Sequence, residues 1–160
     1  RPANFPTIRI SQFARFIYQT QGNFLGLLEY RNIKEVCEAF NVDASGYWDT
    51  HFVFGKPSVS RKKMMGKSSI QLLVINGWLT FLFYYGVEKN IPEIREKALH
   101  FLEQIPSEKN TDSEQWSRAG VIAENALQSQ ALIHLKSEYC DKKRCLECRI
   151  GERILGGKMD

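Results

Sequence analysis

The chain has no apolar run of the roughly 20 residues a bilayer-spanning helix needs. Its most hydrophobic stretch, Ile70 to Tyr85, is 16 residues long and is interrupted by Gln71, Asn76 and Thr80. It reads as a buried central helix, and no membrane partner is expected. There is no His-Glu-x-x-His and no paired-carboxylate motif. No nucleophile–base–acid set can be assembled, so no catalytic residue is nominated and enzyme status stays open. The triplet Gly66-Lys67-Ser68 lacks an upstream glycine at phosphate-loop spacing and a preceding strand, which excludes a nucleotide hydrolase of that kind. No internal repeat occurs, and strand patterning is weak outside Thr50 to Phe54. The sequence opens Arg1-Pro2-Ala3 without an initiator methionine or a signal peptide, so a fragment of a longer protein or a trimmed product is expected.

What is present suits one helical domain over residues 1–160. An apolar fraction of 43%, with 10 phenylalanines and 3 tryptophans, is enough for a sizeable core and excludes a disordered chain. The formal charge of +4 is compatible with a polyanionic partner but too modest to demand one. A domain of this size needs no covalent staples. The four cysteines therefore read as thiols of a reducing compartment, and a cytoplasmic location is expected.

Periodicity predicts an all-α fold: a compact multi-helix bundle of about six helices around the hydrophobic central helix, with a long ordered loop before it. Pro2 and Pro6 bias the opening toward extended backbone. Ile10, Phe13, Ala14 and Ile17 recur at helical spacing. Asn32 and Glu35 form a capping box ahead of the stripe Ile33, Val36, Cys37 and Phe40. From Asn41 to Ser69 the periodicity vanishes, but Trp48, His51, Phe52 and Phe54 anchor the connection, and His51 reads as a packing residue. The central helix is expected to be capped by Ser68 or Ser69. Asn76 within it needs a buried partner, and Gly77 suggests a close helix crossing. Asn90 with Glu93 predicts another box, before a helix burying Ile94, Ala98, Phe101, Leu102 and Ile105 and ending at Pro106. His100 lies off that face. Asp112 begins a short helix carrying Trp116. Val121 to Tyr139 forms a helix with Ala123, Leu127, Ala131, Leu135 and Tyr139 four apart, and a terminal helix runs from Cys145 to Leu155.

Two clusters carry chemistry. Cys140, Cys145 and Cys148 fall within nine residues near the C-terminus. Zinc or an iron–sulfur cluster requires four ligands, and the fourth would come from His134, from Cys37 or from another part of a larger protein. Without a second Cys-x2-Cys, thiols that pack a terminal helix are favoured over either cofactor, and Cys37 reads first as a small buried hydrophobe. The likeness to the four-cysteine loop of helix–hairpin–helix DNA glycosylases lacks the hairpin and the lysine–aspartate pair. The second cluster is basic. Lys56, Arg61, Lys62, Lys63 and Lys67 run without an intervening acid toward a helix N-terminus, where free N–H groups favour an anion. Lys142, Lys143 and Arg144 form a second basic turn. A solvated basic loop is the favoured reading of the first and an ordinary basic turn suits the second equally well; nucleic acid is the polyanion that would fit both.

The opening Arg1-Pro2-Ala3-Asn4-Phe5-Pro6-Thr7-Ile8-Arg9, the run Asn125 to Ile133 and the ending Tyr139-Cys140 through Cys145-Leu146-Glu147-Cys148-Arg149-Ile150-Gly151 together resemble the C-terminal part of a family of uncharacterised Bacteroidetes proteins, a domain of unknown function. The resemblance implies the second half of a cytoplasmic protein of more than 400 residues. It also implies an N-terminal half with short motifs similar to metal-dependent nucleases, so that any catalytic centre lies outside this chain. The main reading is thus a helical structural or protein-interaction domain of a larger bacterial protein, with the rest of that polypeptide as its expected partner. The alternatives are an accessory nucleic-acid-binding domain and a zinc- or cluster-binding domain. The oligomeric state is not readable.

Overall fold

A computed structural model describes residues 5–156. The all-α expectation is met. Eight α-helices are found among the described residues, with one two-stranded hairpin and a few single-turn 3-10 and π segments. The chain divides into two compact units, Arg1–Phe101 and Leu102–Asp160, with the boundary inside a helix.

In the first unit, α1 (Pro6–Gln19) starts where Pro6 sets its first turn after an extended Phe5. The Pro2–Asn4 part of the expected extended opening lies outside the described residues. The buried face of α1 is Ile8, Gln12 and Phe16, whereas Ile10 and Phe13 are 68% and 60% exposed. Three of the four residues that announce the helix, Ile10, Phe13 and Ala14, thus sit on its outer side. A 3-10 turn at Phe24–Glu29 leads to α2 (Ile33–Ala39). Its cap follows expectation in part. The Asn32 side chain accepts from the Glu35 N–H, and the Glu35 carboxylate reaches back to the N–H of Arg31, one residue before the cap.

The aperiodic stretch is ordered by a 3-10 turn at Gly46–Asp49 and by the antiparallel hairpin β1 (His51–Val53) and β2 (Lys56–Pro57). β1 falls where the weak strand pattern was read. The hairpin region packs on α1 through Ile8, Ala44 and Trp48, with Phe5 and Phe52 against them. Thr7 donates to the Phe52 carbonyl at 2.5 Å. His51 stacks on Tyr47 at 4.1 Å and shares hydrogen bonds with the Thr50 hydroxyl and the Tyr47 carbonyl, a packing role.

The central helix is α3 (Lys67–Leu73), a π segment at Val74–Leu79 and α4 (Thr80–Glu88) in one continuous run. Gly66, not Ser68 or Ser69, is its N-cap residue, so the first turn has no side-chain cap. The helix is only half buried. Ile70, Val74, Ile75, Trp78, Leu79 and Leu82 are inside, while Leu72, Leu73, Phe81, Phe83 and Tyr84 are exposed. Asn76 is exposed and needs no buried partner. Among the described residues a side chain at Gly77 would meet only Leu73 Cδ1, at 3.7 Å, so none of the described helices crosses closely there. Gly86 makes the close approach instead: a Cβ there would lie 2.7 Å from the backbone nitrogen of Arg95. With its flanks included, the run Lys67–Glu88 has 22 residues, and its most apolar 18-residue window has a mean hydropathy of 1.5. By length and composition alone it is enough to cross a membrane, beyond the 16 residues counted from the apolar core. In its most apolar window 39% is buried within the protein.

Asn90 ends α4 rather than capping the next helix. It takes a left-handed φ of 53°, and the N–H of Ile91 reaches back to the Gly86 carbonyl at 2.8 Å, the six-to-one bond of a Schellman turn. α5 (Pro92–Gln104) buries Ala98 and Phe101 and half-buries Ile94; Leu102 is half-buried and Ile105 buried beyond the unit boundary. His100 is exposed, off that face as expected.

In the second unit, α6 (Thr111–Arg118) begins one residue before Asp112, behind a reciprocal capping box of Asn110 and Ser113. The indole of Trp116 donates to the Leu132 carbonyl at 3.1 Å. Pro106 follows the end of α5 and bridges to Asn125. α7 (Ala126–Leu135), continued by a π turn at Lys136–Cys140, starts five residues later than the periodicity from Val121 suggested. The reason is local: Asn125 caps the helix by accepting from the Gln128 N–H. Its fully buried residues are Ala126 and Ser129, and Ala131 is exposed. α8 (Arg149–Leu155) starts after Cys148, because Cys145–Glu147 is a 3-10 turn and Cys148 is extended.

Candidate functional site

In the first unit, α1, the end of α2 and the central helix leave a groove of about 670 Å³ between them. Its walls are the side chains of Phe13, Phe16, Phe24, Phe40, Val42, Leu72, Leu73, Trp78 and Phe81, and its polar edge is Arg9, Gln12 and Ser69. The local sequence accounts for this concavity. Phe16 stacks on Phe40 at 4.6 Å and tilts against Phe24, which closes one wall. The outward-facing Leu72, Leu73 and Phe81 of the central helix form the other. Trp78 is buried, yet its indole N–H has no acceptor among the described residues. That nitrogen is sealed from solvent, so Trp78 meets the groove with other atoms of its side chain.

Gln12 is the hinge between this groove and a second cleft. It is 1% exposed, accepts from Arg9 Nη1 at 3.0 Å and donates to the Lys63 carbonyl at 2.7 Å. The second cleft, about 1200 Å³, is lined by Phe5, Phe52, Ser58 and Ser60 together with Arg9, Arg61, Lys62 and Lys63. Among the described residues no carboxylate lines it.

The structure sorts the basic residues nominated from sequence. Arg61 and Lys62 are exposed on the cleft, and Arg9, which no charge run signals, joins them. Lys56, on β2, and Lys67, in the first turn of α3, are exposed but do not line the cleft. Lys63 is 7% exposed, and its ammonium is turned inward. It donates to the Asp49 and Arg61 carbonyls at 3.0 and 2.9 Å and lies 4.3 Å from the centre of the Phe52 ring. A buried strut of this kind carries no positive charge to a partner's surface.

Lys142, Lys143 and Arg144 belong to the second unit, where they close the end of the α7 run. Lys143 takes a left-handed φ of 54°. Lys142 pairs with Glu138 at 2.5 Å, and Arg144 pairs with Glu147 and lies over the Tyr139 ring. The lysine holds the Glu138 carboxyl below its ordinary range by hydrogen bond and charge, and Arg144 does the same to Glu147. Two of the three cations are thus matched by acids within their own turn.

The cysteines are all unbridged. Cys140 and Cys145 are exposed, Cys148 is buried and Cys37 is half-buried in the first unit. Burial, and secondarily Glu38, push the Cys37 thiol pKa upward. His134 is exposed, with its ring edge-on to Tyr139 at 6.5 Å. Among the described residues no three His, Cys, Asp or Glu side chains are gathered as metal ligands. Gly151 explains part of the local geometry, since a Cβ there would fall 2.2 Å from the Cys145 carbonyl oxygen.

The family model described as a protein of unknown function, DUF2851, matches residues 1–111. The chain belongs to that family. The DUF2851 match contains the whole first unit with both of its concave surfaces, and it leaves Cys140, Cys145 and Cys148 outside. The Asn125–Ile133 run and the cysteine-rich ending of the resemblance therefore lie beyond the matched range. Comparison with curated proteins and with solved structures returns no match.

Proposed function

We propose that this DUF2851 chain is a protein-interaction domain of a larger polypeptide, and that its working surface is the apolar groove of the first unit. The observation that carries this reading is a largely apolar groove of about 670 Å³ whose walls include the solvent-exposed Phe13, Leu72, Leu73 and Phe81. The occupant is an amphipathic helix of a partner protein. Its apolar side chains fill the space between Phe13, Phe40 and Leu73, and an acidic side chain meets Arg9 at the polar edge. Charge complementarity supports this choice, because among the described residues no carboxylate lines the groove and Arg9 does. Apolar anchors at i, i+3, i+4 and i+7 are how helices dock in such grooves.

The long central helix serves here as scaffold. Its inner face, Ile70, Val74, Ile75 and Leu79, is core, and its outer face forms a wall of the groove. Unbridged cysteines accord with a cytoplasmic location. The reading is tested with helical peptides carrying leucine at those four positions and one glutamate beyond the stripe. The indole N–H resonance of Trp78 is followed, with Trp48 and Trp116 as internal references. A shift of Trp78 alone, weakened when the glutamate becomes glutamine, supports the groove. A panel of such peptides that leaves Trp78 unmoved contradicts it.

A further inference from the structure

The cleft beside the groove carries charge of one sign on a rigid frame. Three anchors hold the Arg61–Lys63 segment: the Arg61 N–H donates to the Asp49 carbonyl at 2.8 Å, the Lys63 ammonium bridges the Asp49 and Arg61 carbonyls, and the Lys63 carbonyl is bound by Gln12 and by the Ala44 N–H. The buried lysine therefore orders the loop while the side chains of Arg61 and Lys62 stay exposed. The same Gln12 positions the Arg9 guanidinium on the facing helix. The cleft thus presents Arg61 and Lys62 from an anchored main chain, facing an arginine positioned by Gln12, which lowers part of the ordering cost of binding.

We propose that this cleft binds single-stranded nucleic acid, with Arg9, Arg61 and Lys62 on successive phosphates and the Phe5–Phe52 wall against a base. The aromatic pair, 5.0 Å apart, lines the same cavity as the cations. Cationic groove plus aromatic wall is the combination that single strands use. The concave shape fits neither a flat lipid surface nor a duplex, whose bases stay stacked inside, away from any aromatic wall. Cations spread along a cleft of about 1200 Å³ suit a chain of phosphates better than one free anion.

The test is fluorescence anisotropy of a labelled oligothymidylate with the full chain, across a salt series. Binding should weaken linearly on logarithmic axes. The double substitution Arg61→Gln, Lys62→Gln should cost at least about tenfold and reduce the salt slope by about 1.4, at roughly 0.7 per phosphate contact. Lys142→Gln, in the second unit, should change nothing. Circular dichroism confirms that the variants fold, and both changed side chains of the double variant are exposed. Four results overturn the proposal: no binding at low salt, a duplex bound as tightly as the strand, displacement by inorganic phosphate, or a double variant that binds like the parent. Neither Arg61 nor Lys62 lines the apolar groove, so this proposal and the helix-docking one fail separately.

Discussion

Lys63 and Arg61 sit two residues apart in one basic run, and burial gives them opposite work. Lys63 gives its donors to main-chain carbonyls, so Lys63→Met should destabilise the chain by roughly 1–3 kcal/mol in urea denaturation by removing the ammonium from the Arg61 carbonyl, while the Asp49 carbonyl keeps the Arg61 N–H. Arg61→Gln, at an exposed side chain, should leave the midpoint nearly unchanged. Glycines divide in the same way. Gly86→Ala forces a Cβ against the backbone of Arg95 and should cost on the order of 1–3 kcal/mol. Gly77→Ala meets only Leu73 Cδ1 and should be neutral or stabilising by about 0.5–1 kcal/mol through helix propensity. Equal melting temperatures for the two alanine variants would contradict this reading of the central helix. Thiol chemistry separates the cysteines too. Cys140 and Cys145 should react first with a thiol reagent near neutral pH, and Cys37 slowly. With its folded pKa raised, Cys37 contributes stability that is fully present below the ordinary thiol pKa and lost as pH rises through the folded value.

Helix ends decide most of the differences between periodicity and structure. Hydrophobic spacing marks a helix over α1 but not which side faces in, because Ile10 and Phe13 repeat as regularly as Ile8, Gln12 and Phe16 do. The buried Gln12 could not be nominated from sequence: its worth lies in the Lys63 carbonyl 51 positions away. Caps were readable where a side chain makes them, as at Asn32, and misread where the same residue type can end one helix or begin the next, as at Asn90. Asn125 overrides the apolar pattern before it, and Asn125→Ala should cost about 1 kcal/mol in thermal or chemical unfolding. At the other end of the α7 run, Glu138 and Glu147 are held below the ordinary glutamate range by Lys142 and Arg144. Their contribution is present above that range and is lost as pH falls through the lowered values. Lys142→Gln should return the Glu138 carboxyl titration, followed by NMR, toward the ordinary range; an unmoved midpoint would show that the pair does not form in solution.

At the scale of the molecule, fold class was legible because helical periodicity and capping residues recur along most of the chain. The surfaces were not. Both concave sites are assembled from residues distant in sequence, Arg9 with Arg61 in one and Phe13 with Phe81 in the other, and no local pattern ties them together. The cysteine spacing that draws the eye falls in the second unit, outside the DUF2851 match, and the groove falls inside it. The central claim is that this groove holds a partner's helix. Its most direct test is a photo-crosslinking amino acid placed at Phe13, on the groove wall, in the protein expressed in cells, with Tyr18, which is outside the groove, as the control position. The account predicts crosslinks from position 13 alone, to one amphipathic segment with an acidic residue beside its apolar stripe, and their loss in a Leu73→Asp background. Crosslinks to a second copy of the chain or to lipid, or equal yields from both positions, would contradict it.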